Sequence, residues 1–290
     1  MTHELLPNQL AKRLSSFAIV SKSKRLGAHK GTHRSRKTGS SLDFSDFREY
    51  HPGDDLRHID WNVYARTEKP YIKQFLDEQE MRIHIVLDAT KSMSVDGKWE
   101  FARQLAIALG QIGLSSGDTV SFSTRINGKK QFFRKKGIVQ RAMWTKMIAT
   151  LETPQTTEEF TETILKGMPK AITVLFIITD GLEELEKWTQ LFRKLPGICH
   201  DTRLIFVQSD EEEHPQVEGD VKLIDIENEK EVDISISRQR IESYLNKKAS
   251  HEAKMAAICN RFGIQYFHAR VKEGVMETVT KKMRHAGWLR

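Results

Sequence analysis

From residue 82 onward the chain alternates short β-forming runs with helical stretches, and three of those runs, "RIHIVLD", "AITVLFIITD" and "TRLIFVQSD", are apolar almost throughout. A strand wet on one face alternates apolar and polar residues, whereas a continuous apolar run needs cover on both faces, which parallel sheets obtain from crossover helices. The helices are visible in the spacing. "KWEFARQLAIALGQIGL" repeats Trp99, Ala102, Leu105, Ala106, Leu109 and Ile112 at helical intervals, "LEELEKWTQLFRKL" forms a second such stretch, and a long one runs from about Arg238 to Arg261. "DTVSFSTRI" and "KQFFRK" read as a hairpin, and "VKLIDI" and "EVDIS" as further strands. The expected fold class is α/β: a doubly wound, mostly parallel sheet with an N-terminal extension packed on it. Ligand sites in such sheets gather outside the carboxyl ends of the strands, and Asp88 and Asp180 both stand at such ends.

Composition limits what else the chain can be. Of its 290 residues 39% are hydrophobic and 29% charged, enough for a packed core under a strongly charged surface. The longest apolar runs, "IHIVL" and "ITVLFII", fall well short of the ~20 residues a bilayer crossing needs, so no membrane span is expected. The first 25 residues lack the apolar stretch of a secretory signal, and Cys199 and Cys259 have no paired spacing. The expectation is a cytoplasmic protein without disulfides or a zinc site. The net charge of +7 is uneven: residues 1 to 40 hold nine Lys and Arg against one acid, Glu4, leaving the remainder near −1. A nucleic-acid or acidic-lipid argument therefore rests on this arm alone, and the plainer reading is a solvated arm against an acidic neighbour. Nucleic acid is not the expected partner.

The boundaries follow these shifts: a basic, partly helical arm over 1–38, an aromatic and charged segment over 39–80, and the α/β domain over 81–290. Within the arm, Leu10, Leu14, Phe17 and Ala18 have helical spacing, and the loop-like "GAHKGTHRSRKTGSS" follows.

The first apolar strand ends in Asp88, Thr90 and Ser92, three oxygen-bearing side chains at alternate positions. A dehalogenase-type phosphatase needs a second acid two residues after its nucleophilic Asp, and Thr90 stands there instead. A phosphate-binding P-loop needs Gly-Lys-Ser/Thr, which "DATKSMSVDG" lacks. "HEAKM" at 251–255 is not a zinc-protease motif, since Met255 replaces the second His, and His251 reads as an exposed helix residue. The run "DEEEH" at 210–214 reads as a solvated loop. Three oxygens leaving one strand tip suit a hard cation such as Mg²⁺ or Mn²⁺, which takes oxygen ligands in near-octahedral geometry. A lone Asp at a strand end is more often a helix N-cap, but a second acid at the tip of another strand shifts the balance toward metal.

Asp88-x-Thr90-x-Ser92 resembles the Asp-x-Ser-x-Ser signature of the metal-ion-dependent adhesion site of von Willebrand factor A domains, with Thr for the middle Ser. "IITDG" at Asp180 and Gly181 is similar to that family's second signature. The third, a loop Thr, falls in "TPQTTEEF", where Thr157 is chosen and Thr156 is the alternative. The resemblance thus implies Asp88, Thr90, Ser92, Thr157 and Asp180 as metal ligands. Upstream, "GSSLDFSDFREYHPGDDLRHIDWNVYAR" resembles the bacterial family called domain of unknown function 58, through Arg48, Tyr50, Pro52, Gly53, Asp54, Asp55, Arg57, Asp60, Trp61 and Arg66. With "YLNKKASHEAKMAAICNRFGIQYFHARV", the likeness spans roughly residues 27 to 270. In this segment Arg48, Arg57 and Arg66 can pair with Asp54, Asp55 and Asp60, a structural or docking network with Trp61 and Tyr50 filling a seam.

The resemblance implies a non-enzymatic, Mg²⁺-dependent interaction module whose metal accepts an acidic side chain of a protein partner. It further implies an adaptor to a MoxR-type AAA+ ATPase in protein remodelling or maturation. The alternatives are a metal-dependent phosphohydrolase using Asp88 and Asp180, and nucleic-acid binding through the basic arm.

Overall fold

A computed structural model describes residues 6, 8–21, 44–75, 80–155, 158–166, 168–199, 201–215, 219–224 and 231–290. The chain divides into two compact units, Lys30–Glu80 and the larger Met1–His29 with Met81–Arg290.

The larger unit is built on a six-stranded sheet of order β10-β7-β6-β3-β4-β5. Its strands are β3 (Arg82–Leu87), β4 (Thr119–Ile126), β5 (Lys129–Lys136), β6 (Val174–Thr179), β7 (Thr202–Gln208) and β10 (Gln265–Arg270). All neighbours are parallel except β4 and β5, the expected hairpin, which turns through Asn127 and Gly128 at positive φ. Successive side chains of a strand point to opposite faces, and both faces are apolar here. Ile83, Ile85 and Leu87, Val174, Phe176 and Ile178, and Ile205 and Val207 enter one core cluster. Val86, Leu175, Ile177, Leu204 and Phe206, which alternate with them, enter the other. That alternation is why these runs look continuously apolar.

The first cluster is covered by helix α3 (Lys98–Ser115) and by the terminal helices α9 (Gly274–Glu277) and α10 (Met283–His285), joined by a π turn. Helix α4 (Arg141–Ala149) adds Trp144 and Ile148. The second cluster is covered by α6 (Leu185–Lys194) and by Met255 and Cys259 of α8 (Arg238–Arg261). Helix α3 is buried on nearly every side. It approaches α4 so closely that a Cβ on Gly110 would lie 2.0 Å from the Trp144 ring. A short helix α5 spans Phe160–Thr163, and "VKLIDI" and "EVDIS" form the separate antiparallel hairpin β8 (Gly219–Ile224) and β9 (Glu231–Ile236).

Helix α1 (Asn8–Arg13) and the following turn place Leu10, Leu14, Phe17 and Ile19 in the first core cluster. Ile19 pairs with Leu289, so segments from the two ends of the sequence meet. The basic stretch 22–43 lies outside the described residues. Cys199 and Cys259 are buried and free. No helix among the described residues is long and apolar enough to cross a membrane.

In the smaller unit, β1 (Phe44–Glu49) pairs antiparallel with β2 (Tyr71–Phe75), and α2 (Trp61–Thr67) lies between them in sequence. Two of the three expected charge pairs form: Arg48 to Asp54 at 2.8 Å and Arg57 to Asp55 at 2.6 Å, the latter also through Nε. Asp60 instead caps α2, accepting from the amides of Asn62 and Val63, and Arg66 donates to the Asn62 carbonyl. The cap competes for the Asp60 carboxylate because a helix start leaves amides without intrahelical partners. Trp61 is largely exposed and meets Tyr64 edge-on with 5.9 Å between ring centroids.

Candidate metal centre

Strands β3 and β6 are neighbours, and their carboxyl ends set Asp88 and Asp180 side by side. The amide of Asp88 donates to the Ile178 carbonyl at 2.9 Å, extending the ladder one residue past β3. Asp88 is fully buried. One of its carboxylate oxygens accepts the Thr90 amide at 2.9 Å, which folds the chain back on itself, and the other accepts the Thr179 hydroxyl at 2.7 Å. The turn brings the hydroxyls of Thr90 and Ser92 to 3.0 Å. Thr179 also accepts the Gly181 amide, so one hydroxyl ties both acidic loops together. Gly181 has φ +74° and a Cβ there would meet the Phe206 ring at 2.6 Å, so this bend has room for glycine alone.

The sequence reading missed two members of the cluster. Lys98, in the first turn of α3, is 1% exposed, and its ammonium lies 3.1 Å from Asp180 and 2.8 Å from Glu212. Glu212 belongs to the acidic run expected to be a solvated loop. That run is instead the short helix α7 (Asp210–Glu213), started by a reciprocal capping box between Ser209 and Glu212. Both signals are legible in retrospect. "SDEE" has the Ser-x-x-Glu spacing of a capping box, and a lysine in the first turn of a buried helix opposes the helix dipole, so it needs a carboxylate partner. His251, expected to be exposed, is half-buried with Nε2 3.1 Å from the Gly181 carbonyl oxygen.

Electrostatics within the cluster are unbalanced. Burial, and then the Asp180 charge, push the Asp88 acid well above its ordinary value. Burial alone would lower Lys98, but Asp180 and Glu212 outweigh it and raise its pKa. Three carboxylates against one ammonium leave a surplus of two negative charges when all are ionised. One divalent cation cancels that surplus. The hydroxyl separation also suits a small cation, because ligands bonded at 2.0–2.1 Å at right angles are roughly 3.0 Å apart. The donor set of Asp88, Thr90, Ser92 and Asp180 therefore fits Mg²⁺ or Mn²⁺. Thr156 and Thr157 lie outside the described residues. Among the described residues, no three His, Cys, Asp or Glu side chains form a metal-binding group.

Two hollows flank the cluster. A small cleft of about 50 Å³ beside Asp88 and Thr90 is walled by Arg125, Lys130 and Lys166, with Glu158 paired to Arg125. On the other side, a cavity of about 340 Å³ runs from Asp180 past Leu182, Phe206, Tyr244 and Met255 to His268.

The family model described as "Protein of unknown function DUF58" matches residues 46–254. Uncharacterized protein Rv1480 of Mycobacterium tuberculosis (strain ATCC 25618 / H37Rv) is 32% identical over 100 residues, 34% of this chain and 32% of that protein, so the match spans about a third of that relative. Among solved structures, the conserved hypothetical protein BatB from Bacteroides thetaiotaomicron aligns with a TM-score of 0.39 and 11% identity, over 71% of this chain and 98% of that one. An aerotolerance-related membrane protein from Bacteroides fragilis NCTC 9343 aligns over the same shares at 0.43 and 12%.

Proposed function

This chain belongs to the DUF58 family, and from that premise we propose that it is a cytoplasmic, non-enzymatic interaction module. In this reading a von Willebrand factor A-like domain holds Mg²⁺ or Mn²⁺ through Asp88, Thr90, Ser92 and Asp180, with Thr157 as a further ligand. When bound, the cation supplies an open electrophilic position for an acidic side chain of a protein partner. The observation that carries the reading is the buried cluster at the tips of β3 and β6, whose oxygen donors and surplus negative charge match one divalent cation.

The chain's own residues set up that role. Thr179 and the Thr90 amide orient the Asp88 carboxylate, and Lys98 holds one oxygen of Asp180. Neutral hydroxyls at Thr90 and Ser92 leave the cation's charge for the guest, and Arg125, Lys130 and Lys166 line the adjoining cleft with the sign an acidic guest needs. A binding role is preferred over phosphohydrolysis because Thr90 occupies the general-acid position and Asp180 is engaged by an ammonium. The partner reading, an adaptor to a MoxR-type AAA+ ATPase, rests on the family resemblance.

Titration calorimetry of the full chain with Mg²⁺ and Mn²⁺ tests the centre. Wild type is expected to bind in the millimolar range or tighter, and Asp88→Ala to lose about tenfold or more in affinity with an unchanged circular dichroism spectrum. No binding heat in wild type, or equal binding by Asp88→Ala, sinks the proposal. Co-purification in Mg²⁺ against EDTA then tests the partner, which is expected only in Mg²⁺.

A further inference from the structure

Helix α4 packs Trp144 and Ile148 into the core, so its opposite side would ordinarily be polar. Beside Lys146, however, the turn into α4 and the flank of the helix that follows it carry exposed apolar side chains. Val139 is 86% exposed, Ile138 59% and Met143 51%, with Ala142 also exposed between them. Val139 and Met143 are four residues apart across the helical turn that leads into α4, which puts them on one face. Isolated exposed apolar residues are ordinary, but a contiguous group on one corner marks a contact surface.

The expectation that only the N-terminal arm could meet acidic lipid overlooks a second basic stretch in the sequence. Residues 127–151 contain seven Lys and Arg and no Asp or Glu, although residues 41–290 together are nearly neutral. Lys146 is exposed and Lys135 half-exposed on the α4 face of β5, and neither enters an ion pair among the described residues. Lysines on the edge strand β5 guard it against pairing with another sheet. That role does not account for Ile138 and Val139 beyond the end of the strand, nor for Lys146 on the helix.

We propose that the β5–α4 corner docks on an anionic lipid bilayer. Ile138, Val139 and Met143 enter the interfacial region, and Lys135 and Lys146 face the phosphate headgroups. Protruding aliphatic side chains suit acyl chains, whereas single-stranded nucleic acid is met by aromatic and guanidinium stacking. The surface works without the metal centre and extends the chain's role to a membrane face.

Sedimentation of the full chain with phosphatidylcholine vesicles, with and without phosphatidylglycerol, tests this. Wild type is expected to sediment with the anionic vesicles alone, and to do so in EDTA without any divalent cation. Ile138→Ser with Val139→Ser is expected to lower the partition about tenfold. Lys135→Gln and Lys146→Gln together are expected to lower it severalfold and to flatten its salt dependence. These side chains lie at the surface, so both variants should melt as wild type does. The proposal is overturned if wild type fails to sediment, if it sediments equally with neutral vesicles, or if both variants sediment like wild type, which would transfer the attraction to the basic segment 22–37. Retention on duplex DNA with no vesicle binding overturns it as well.

Discussion

His84 shows how a single buried residue sets a pH response. It lies in the middle of β3 with its ring nitrogens 2.8 Å from the Ser121 hydroxyl and 2.9 Å from that of Ser123, both on β4. Burial holds its pKa down to about 3, and Lys130 adds to the effect. The unfolded chain takes up this proton near pH 6.5 and the folded chain does not, so its stabilising contribution is complete above pH 6.5 and is lost as pH falls toward 3. Between pH 7 and pH 4 wild type should lose on the order of 3 kcal/mol relative to His84→Gln, read from denaturant unfolding in EDTA. A constant difference across that range would show that His84 is charged in the fold. Asp88 shifts in the opposite direction but is common to both proteins, so it cancels in the comparison. The acids and hydroxyls of the proposed metal centre stand out in the sequence because they follow directly where apolar runs stop. Lys98 and Glu212 show in the sequence only that each has a local role to fill; that they meet, across 114 residues, no local pattern encodes.

At the level of elements, periodicity identified the strands of the main sheet and the long helices because burial on one or both faces writes itself into residue spacing. It failed where burial is not the organising force. Helix α5 starts where the amides of Phe160 and Thr161 donate to the Glu183 carboxylate, a cap supplied from more than 20 residues away that residue spacing does not reveal. The contact between α3 and α4 was equally invisible, since a glycine in a helix reads as a weakness. Here it makes room for a ring, and Trp144 donates to the Ala106 carbonyl from that position. Gly110→Ala should therefore destabilise the protein by about 1–3 kcal/mol through overpacking, although alanine is the better helix former by about 1 kcal/mol. Adding Trp144→Leu should make the alanine neutral or favourable in a double-mutant cycle. If Gly110→Ala raises the melting temperature of the otherwise wild-type chain, the close approach is wrong.

Across the larger unit, one buried ion pair joins distant segments. Arg203 on β7 and Asp201 just before it are both 1% exposed and 2.9 Å apart. The guanidinium lies 5.3 Å from the Phe176 ring and 5.4 Å from the Trp288 ring, and donates to the carbonyls of Val20 and Trp288. Those same residues pair with each other, since the Val20 amide donates to the Trp288 carbonyl at 2.9 Å. Arg203 thus anchors the N-terminal segment and the last residues against the sheet, a role lysine cannot copy because it lacks the planar fork. Arg203→Met strands the Asp201 charge in the core and should cost about 3–5 kcal/mol, and adding Asp201→Asn should recover part of it. The location of the damage is the sharper readout. Hydrogen exchange should accelerate first at the amides of Ala18, Val20 and Arg290, which donate across this junction, well before helix α3. Acceleration spread evenly over the larger unit would mean that Arg203 stabilises the sheet without holding those segments. Confinement to the junction would make it the clamp that closes the fold.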